Sequence, residues 1–209
     1  MTLAADRNAA QRDATAAWSR RVRRVGGFIQ AAFAAFWLVR GGLAIGGGPG
    51  AVLAGVFAIV VLVVVVYAIR VTAGVEARPT SQEARRIERA VTVATIVQLV
   101  ASFAVPAIVI ATDHSDWVLP SIAITIGPLL LWLDSRVHIP RYRPVGWTLI
   151  IGPVILAIAM SGTALAATTG IAAGVLLLGT ATAGFHDLAL IKRPRPQGRS
   201  GTLAVVTDD

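Results

Sequence analysis

Long apolar stretches recur along this chain from Val25 to Leu190, and short polar connections separate them. A helix rising 1.5 Å per residue needs about 20 apolar residues to cross a hydrocarbon layer about 30 Å thick. The run Ala51–Ile69 is almost wholly Val, Leu, Ala and Ile, longer than a strand and too uniformly apolar for a surface helix. The pattern predicts six helical spans, Val25–Gly46, Ala51–Ile69, Ala90–Thr112, Trp117–Leu133, Val145–Gly162 and Ala164–Phe185. Gly46 to Gly50 reads as an uncharged turn, Asp113 to Asp116 as a polar one, and Ser161-Gly162-Thr163 as the break before the last span. The expected fold is an all-α polytopic bundle over residues 25–190. A basic segment, 1–24, precedes it and a basic, disordered tail, 191–209, follows.

Charge placement gives the bundle a direction. Every one of the 19 Lys and Arg residues except Arg40 falls before the first span, in the second and fourth connections, or after the sixth. With six crossings, all those segments lie on one side. The other side carries only Asp113 and Asp116. The positive-inside rule then places both termini in the cytoplasm of a cell membrane. The first span, though it follows Arg20, Arg21, Arg23 and Arg24, reads as a retained helix and not a cleaved leader, because Arg40 interrupts its apolar run. Thr80 and Glu83 form a possible capping box, so the third helix is expected to begin before it enters lipid. Trp117, Trp132 and Trp147 sit at expected interfaces. Ala14, Trp18 and Val22 share one face of either a surface helix or a solvated tail.

Composition narrows the class. At 56% hydrophobic residues the chain leaves no room for a sizeable soluble domain. The net charge of +8 sits beside membrane spans and needs no nucleic acid to explain it. Arg20, Arg21, Arg23 and Arg24, with Lys192, Arg193 and Arg195, are expected to hold anionic lipid headgroups. There is no cysteine, which excludes disulfides, thiol nucleophiles and thiolate metal sites. Arg in place of Lys, with abundant Ala, Val and Gly, matches the coding bias of a GC-rich bacterial genome.

Candidate chemistry lies in two places. Inside the membrane, Thr92, Thr95, Gln98 and Ser102 share a face of the third helix that Pro106 continues. Gln30, Phe33, Trp37 and Arg40 form a stripe on the first. Such faces turn inward, because an unpaired amide in hydrocarbon is costly. Interhelical hydrogen bonding is the favoured reading, a polar solute path near Gln98 and Arg40 the alternative. Arg40 lies six residues before Gly46, about 9 Å from the helix end, so it either snorkels to the interface beside Asp113 or Asp116 or faces inward. At the basic face, Asp134, Arg136, His138, Arg141, Tyr142 and Arg143 adjoin His186 and Asp187 at the end of the sixth span. A salt-bridged loop is the favoured reading there, acid–base or metal chemistry the alternative. Asp113-His114-Ser115-Asp116 reads as a polar turn before a weak metal site. No HExxH spacing, phosphate loop or nucleophile elbow occurs, so neither enzymatic activity nor a cofactor is expected. Gly170 and Gly174 make a GxxxG pair, either an internal packing face or the seam of a homo-oligomer. Ile126-Gly127-Pro128 and Ile151-Gly152-Pro153 look alike, and kink-marking Gly-Pro pairs explain them better than an inverted repeat does.

The segment GPLLLWLDSRVHIPRYRPVG, Gly127 to Gly146, resembles part of a family of small bacterial multi-pass membrane proteins with no known activity. That family's pattern is Gly-x-His-Phe-Leu-Pro-Leu, a basic stretch, then Pro-x-Tyr-Tyr-x-x-Gly. Pro140, Tyr142 and Gly146 match it, while Leu129, Trp132 and Arg143 replace the His, the first Pro and the second Tyr. The resemblance implies a multi-pass helical fold and transfers no activity.

Overall fold

The computed structural model describes residues 24–73, 82–137 and 139–192. They form six long helices: α1 (Arg24–Ala44), α2 (Gly47–Thr72), α3 (Gln82–Ala111), α4 (Val118–Val137), α5 (Tyr142–Ala159) and α6 (Gly162–Lys192). A single 3-10 turn, Ser115–Trp117, precedes α4. All six are long and apolar enough to cross a membrane, so the chain is a multi-pass, all-α membrane protein. Uncovered apolar side chains agree with a lipid solvent: Val52, Val63, Phe103 and Ile158 are between 63% and 85% exposed. Apolar exposure on that scale along whole helices does not suit water.

Several boundaries differ from the sequence expectation. Helix α2 begins at Gly47, so Gly48, Pro49 and Gly50 lie within its first turn and not in a loop. Proline is tolerated there because no intrahelical bond needs its missing N–H. The reversal from α1 is confined to Gly46 and Gly47, at φ 80 and 61. Glycine adopts that left-handed backbone without steric cost. Helix α3 starts eight residues ahead of its span, as the capping reading expects, although Thr80 itself lies outside the described residues. Helix α6 runs on to Lys192, which places His186 and Asp187 on the helix and not at its end. The N-terminal Ala14, Trp18, Val22 face, Arg20, Arg21, Arg23, His138, Arg193 and Arg195 also lie outside the described residues.

Close helix contact is made by small residues. A Cβ on Gly127 of α4 would stand 2.6 Å from the carbonyl oxygen of Gly146 on α5, and one on Gly146 would stand 2.9 Å from that of Gly127. The two glycines that bound the family-like segment therefore meet at the α4–α5 crossing. Likewise a Cβ on Gly170 of α6 would lie 2.6 Å from Gly41 Cα on α1, while one on Gly174 would meet the Leu38 backbone nitrogen at 2.9 Å. Gly42 and Gly50 bring α1 and α2 together in the same way. In lipid there is no hydrophobic gain from helix association, so such approach, with its dispersion contacts, carries the packing. Gly152 meets nothing within 4 Å, unlike Gly127, so the two Gly-Pro sites are not equivalent.

Helix α6 is the central element, with half of its span buried, against 17% for α2 and 11% for α3. Both of its ends are held by acidic side chains. At its start Asp116 accepts a hydrogen bond from the Gly162 backbone N–H at 3.2 Å. A carboxylate is favourable at that N-terminus, where backbone donors and the helix dipole converge. Near its other end Asp187 pairs with Arg141 at 2.5 Å. Both partners are more than a third exposed, so solvent screening limits the pair to at most about 1 kcal/mol.

Candidate functional site

Two amides meet inside the bundle. Gln30 on α1 and Gln98 on α3 are 8% and 4% exposed, and both line one cavity of about 90 Å³. Helix periodicity brings Val91, Ala94, Thr95 and Gln98 to its α3 wall, at i, i+3, i+4 and i+7. On α1 the wall is Gly26, Ile29, Gln30 and Phe33. Ile126, Leu129, Leu130 and Leu133 of α4, Leu177 of α6, and Ile139 and Tyr142 around the start of α5 complete it. Gly26, near the start of α1, and Ile139, in the α4–α5 connection, place the cavity toward the basic end.

At the inner end the space is filled. Trp37, fully buried one turn beyond Phe33 along α1, packs in a cluster with Ala34, Ile122, Ala123 and Ala173. The stripe expected on α1 is thus divided: Gln30 and Phe33 line the cavity, Trp37 is buried in the core one turn further and does not border it, and Arg40 is exposed beyond. Arg40 does not border the cavity and makes no ion pair with Asp113 or Asp116. On α3, Thr95 borders the cavity and Ser102 is joined to it through Gln98, whose Nε2 donates to Ser102 Oγ at 3.0 Å. Thr92 is not part of the wall.

The interhelical hydrogen bonds expected of these polar faces do not form among the described residues. Thr92 and Thr95 donate to Glu88 and Val91, one turn back on the same helix. Thr125, Thr148, Thr180 and Thr182 do the same. A hydroxyl that bonds its own i−3 or i−4 carbonyl is satisfied without a neighbouring helix. The amides have no such outlet. Gln30 Nε2 and Gln98 Oε1 are buried with no hydrogen-bond partner among the described residues, as are Trp37 Nε1 and Thr169 Oγ1. Each such group forfeits roughly 1–3 kcal/mol.

The basic-face cluster is dispersed. Arg141 pairs with Asp187, Arg136 lies 5.7 Å over the Trp132 ring, and Tyr142 turns into the cavity wall. Asp134 is half-buried and joins neither contact, while Arg143 and His186 are exposed. Among the described residues no three His, Asp or Glu side chains converge as a metal site. At the opposite face Asp113 takes a left-handed φ of 58, His114 bonds the Thr112 carbonyl oxygen through Nδ1, and Asp116 caps α6. That arrangement is a folded turn. The GxxxG pair is used inside the chain: Gly170 and Gly174 are both buried against α1.

Trp37 as the buried layer beyond the cavity could have been suspected from its place between Gln30 and Arg40. The apolar residues of α4 and α6 carried no local signal. Comparisons with family models, with curated proteins and with solved structures find no match to this chain.

Proposed function

We propose that this chain is a non-catalytic membrane protein that acts by binding, with an intramembrane pocket entered from its basic face. The observation that carries this reading is the pair of buried amides, Gln30 and Gln98, lining one cavity near the basic end. Gln30, Thr95 and Gln98 supply polarity on the basic side of Trp37, Arg40 stands on the other side, and packed apolar residues separate them. A carrier needs polar groups that either face can reach in turn. By the positive-inside rule the basic face is cytoplasmic, both termini lie there, and the membrane is the cell membrane. The Gly127–Gly146 resemblance fits this small multi-pass reading. Acidic lipid around the Arg85, Arg86 and Arg89 side chains, all exposed, follows from the same charge distribution.

A carrier is the second reading, and one observation favours it. A separate cavity of about 360 Å³, lined by Ala123, Thr148, Pro153 and Thr169 among others, lies between α4, α5 and α6, and its Ala123 belongs to the same core cluster as Trp37. Two half-cavities across a plug are what an occluded carrier would present.

Because the chain has no native cysteine, single thiols distinguish the two. In oriented vesicles, Thr95→Cys is expected to react with a membrane-impermeant maleimide from the basic face only, and Thr169→Cys not from that face. Labelling of Thr95→Cys from both faces would replace the binding reading with the carrier.

A further inference from the structure

The two glutamines of the cavity are complementary. Gln30 offers an unpaired donor from α1 and Gln98 an unpaired acceptor from α3, both more than nine-tenths buried and both lining one space. Among the described residues neither amide bonds the other, and the Gln98 amide is partnered by Ser102 on its own helix. A buried polar group is normally satisfied. Two left open on opposite walls of one cavity point to a molecule that joins them.

The walls restrict its chemistry. Tyr142 is the only titratable side chain in the lining, and its phenol is neutral near pH 7. A charged headgroup would therefore be desolvated without a counter-charge, which is prohibitive in a low-dielectric interior. A sugar, with four or five hydroxyls, needs more hydrogen-bond partners than these. Thr95 already donates its hydroxyl hydrogen to Val91. Most of the wall is Ile, Leu, Val, Ala and Phe, so most of the ligand must be apolar. We infer that the cavity is a binding site for the head of an uncharged single-chain amphiphile that offers at least one hydrogen-bond acceptor, to Gln30, and one donor, to Gln98. The space of about 90 Å³ takes that head and the first carbons, and the rest of the chain extends into lipid. A monoacylglycerol or a fatty alcohol has that chemistry, and the membrane itself is the source that its apolar chain implies. The inference rests on the pocket being a binding site and names its ligand class.

The test uses the full chain in nanodiscs with a photoactivatable 1-monoacylglycerol carrying its diazirine near the head. Crosslinks are expected on the α1 and α3 peptides that contain Gln30 and Gln98. Unlabelled 1-oleoylglycerol should compete, and 1-oleoyl lysophosphatidic acid, which adds only a charged phosphate, should not. Short-chain monobutyrin should compete far less; equal competition would keep the head chemistry and move the source to the aqueous phase. Gln98→Leu and Gln30→Leu should each reduce labelling about tenfold, the equivalent of one buried hydrogen bond. Gln30→Leu should leave the thermal midpoint of the ligand-free protein unchanged or raised, because an unpaired buried amide atom is removed; a purely structural amide would lower it. Labelling spread along α2 and α3 without competition, labelling indifferent to both substitutions, or a high-resolution structure with only water bridging the amides would each overturn the proposal. Failure of the pocket reading is separable. If Thr95→Cys reacts from both faces while the monoacylglycerol still competes at Gln98, the ligand class stands and the protein carries it.

Discussion

Gly127→Ala and Gly170→Ala are each expected to destabilise the bundle by about 1–3 kcal/mol, the usual cost of overpacking a well-fitted interior. The added Cβ meets backbone in both places, the Gly146 carbonyl oxygen and Gly41 Cα respectively, each at 2.6 Å. A side chain can rotate away from such a contact, whereas a helix backbone can yield only by moving the helix. Gly55→Ala and Gly179→Ala supply internal controls, since a Cβ there meets nothing within 4 Å. Those two are expected to be neutral or stabilising by up to about 1 kcal/mol through helix propensity and reduced unfolded-state entropy. The measurement is equilibrium unfolding in mixed micelles by increasing SDS. Equal effects at all four positions would show that these contacts do not hold the helices together.

Trp37→Ala is expected to cost about 3 kcal/mol, at the low end for deleting a buried aromatic, because association in lipid lacks the water-transfer part of that penalty. Loss of dispersion contacts with Ala34, Ile122 and Ala173 supplies most of it. Removing the unpaired Nε1 offsets a little. A second effect follows from position. With the largest fully buried side chain of the layer gone, Thr95→Cys in the Trp37→Ala background should react with the impermeant maleimide from the face opposite the basic one as well. A stable Trp37→Ala protein with unchanged one-sided labelling would remove Trp37 from its role as the inner barrier.

How much of this was legible beforehand depends on how local the determinant is. The spans were legible because a run such as Ala51–Ile69 satisfies lipid on every side and needs no partner to interpret. The start of α2 was not, since Gly-Gly-Pro-Gly has the composition of a turn while a helix's first turn tolerates it equally well. The inward faces were half legible. Polarity groups Gln30 with Gln98, and the two line one cavity, but spacings of three and four drift around a helix, so Thr92 lies off the wall that Val91, Ala94, Thr95 and Gln98 form. Arg40 joined that stripe by periodicity although ten residues of rise put it about 15 Å along α1 from Gln30. Hydrogen bonding between helices follows from polar faces and the cost of an unpaired amide, yet the hydroxyls on those faces bond their own helices. Helix-to-helix register is a property of pairs, and a single chain read locally does not state it. The meeting of Gly127 with Gly146 shows this well, because each is an ordinary glycine until the other stands opposite it.

Everything above rests on six crossings that gather the arginines on one face, and topology reporters fused after Gly48, Arg78, Ser115, Arg141, Gly162 and Arg199 test that most directly. The account predicts a cytoplasmic signal at Arg78, Arg141 and Arg199, and an external signal at Gly48, Ser115 and Gly162. An external signal at Arg78 or Arg141, or the same signal at Ser115 and Arg141, would contradict it.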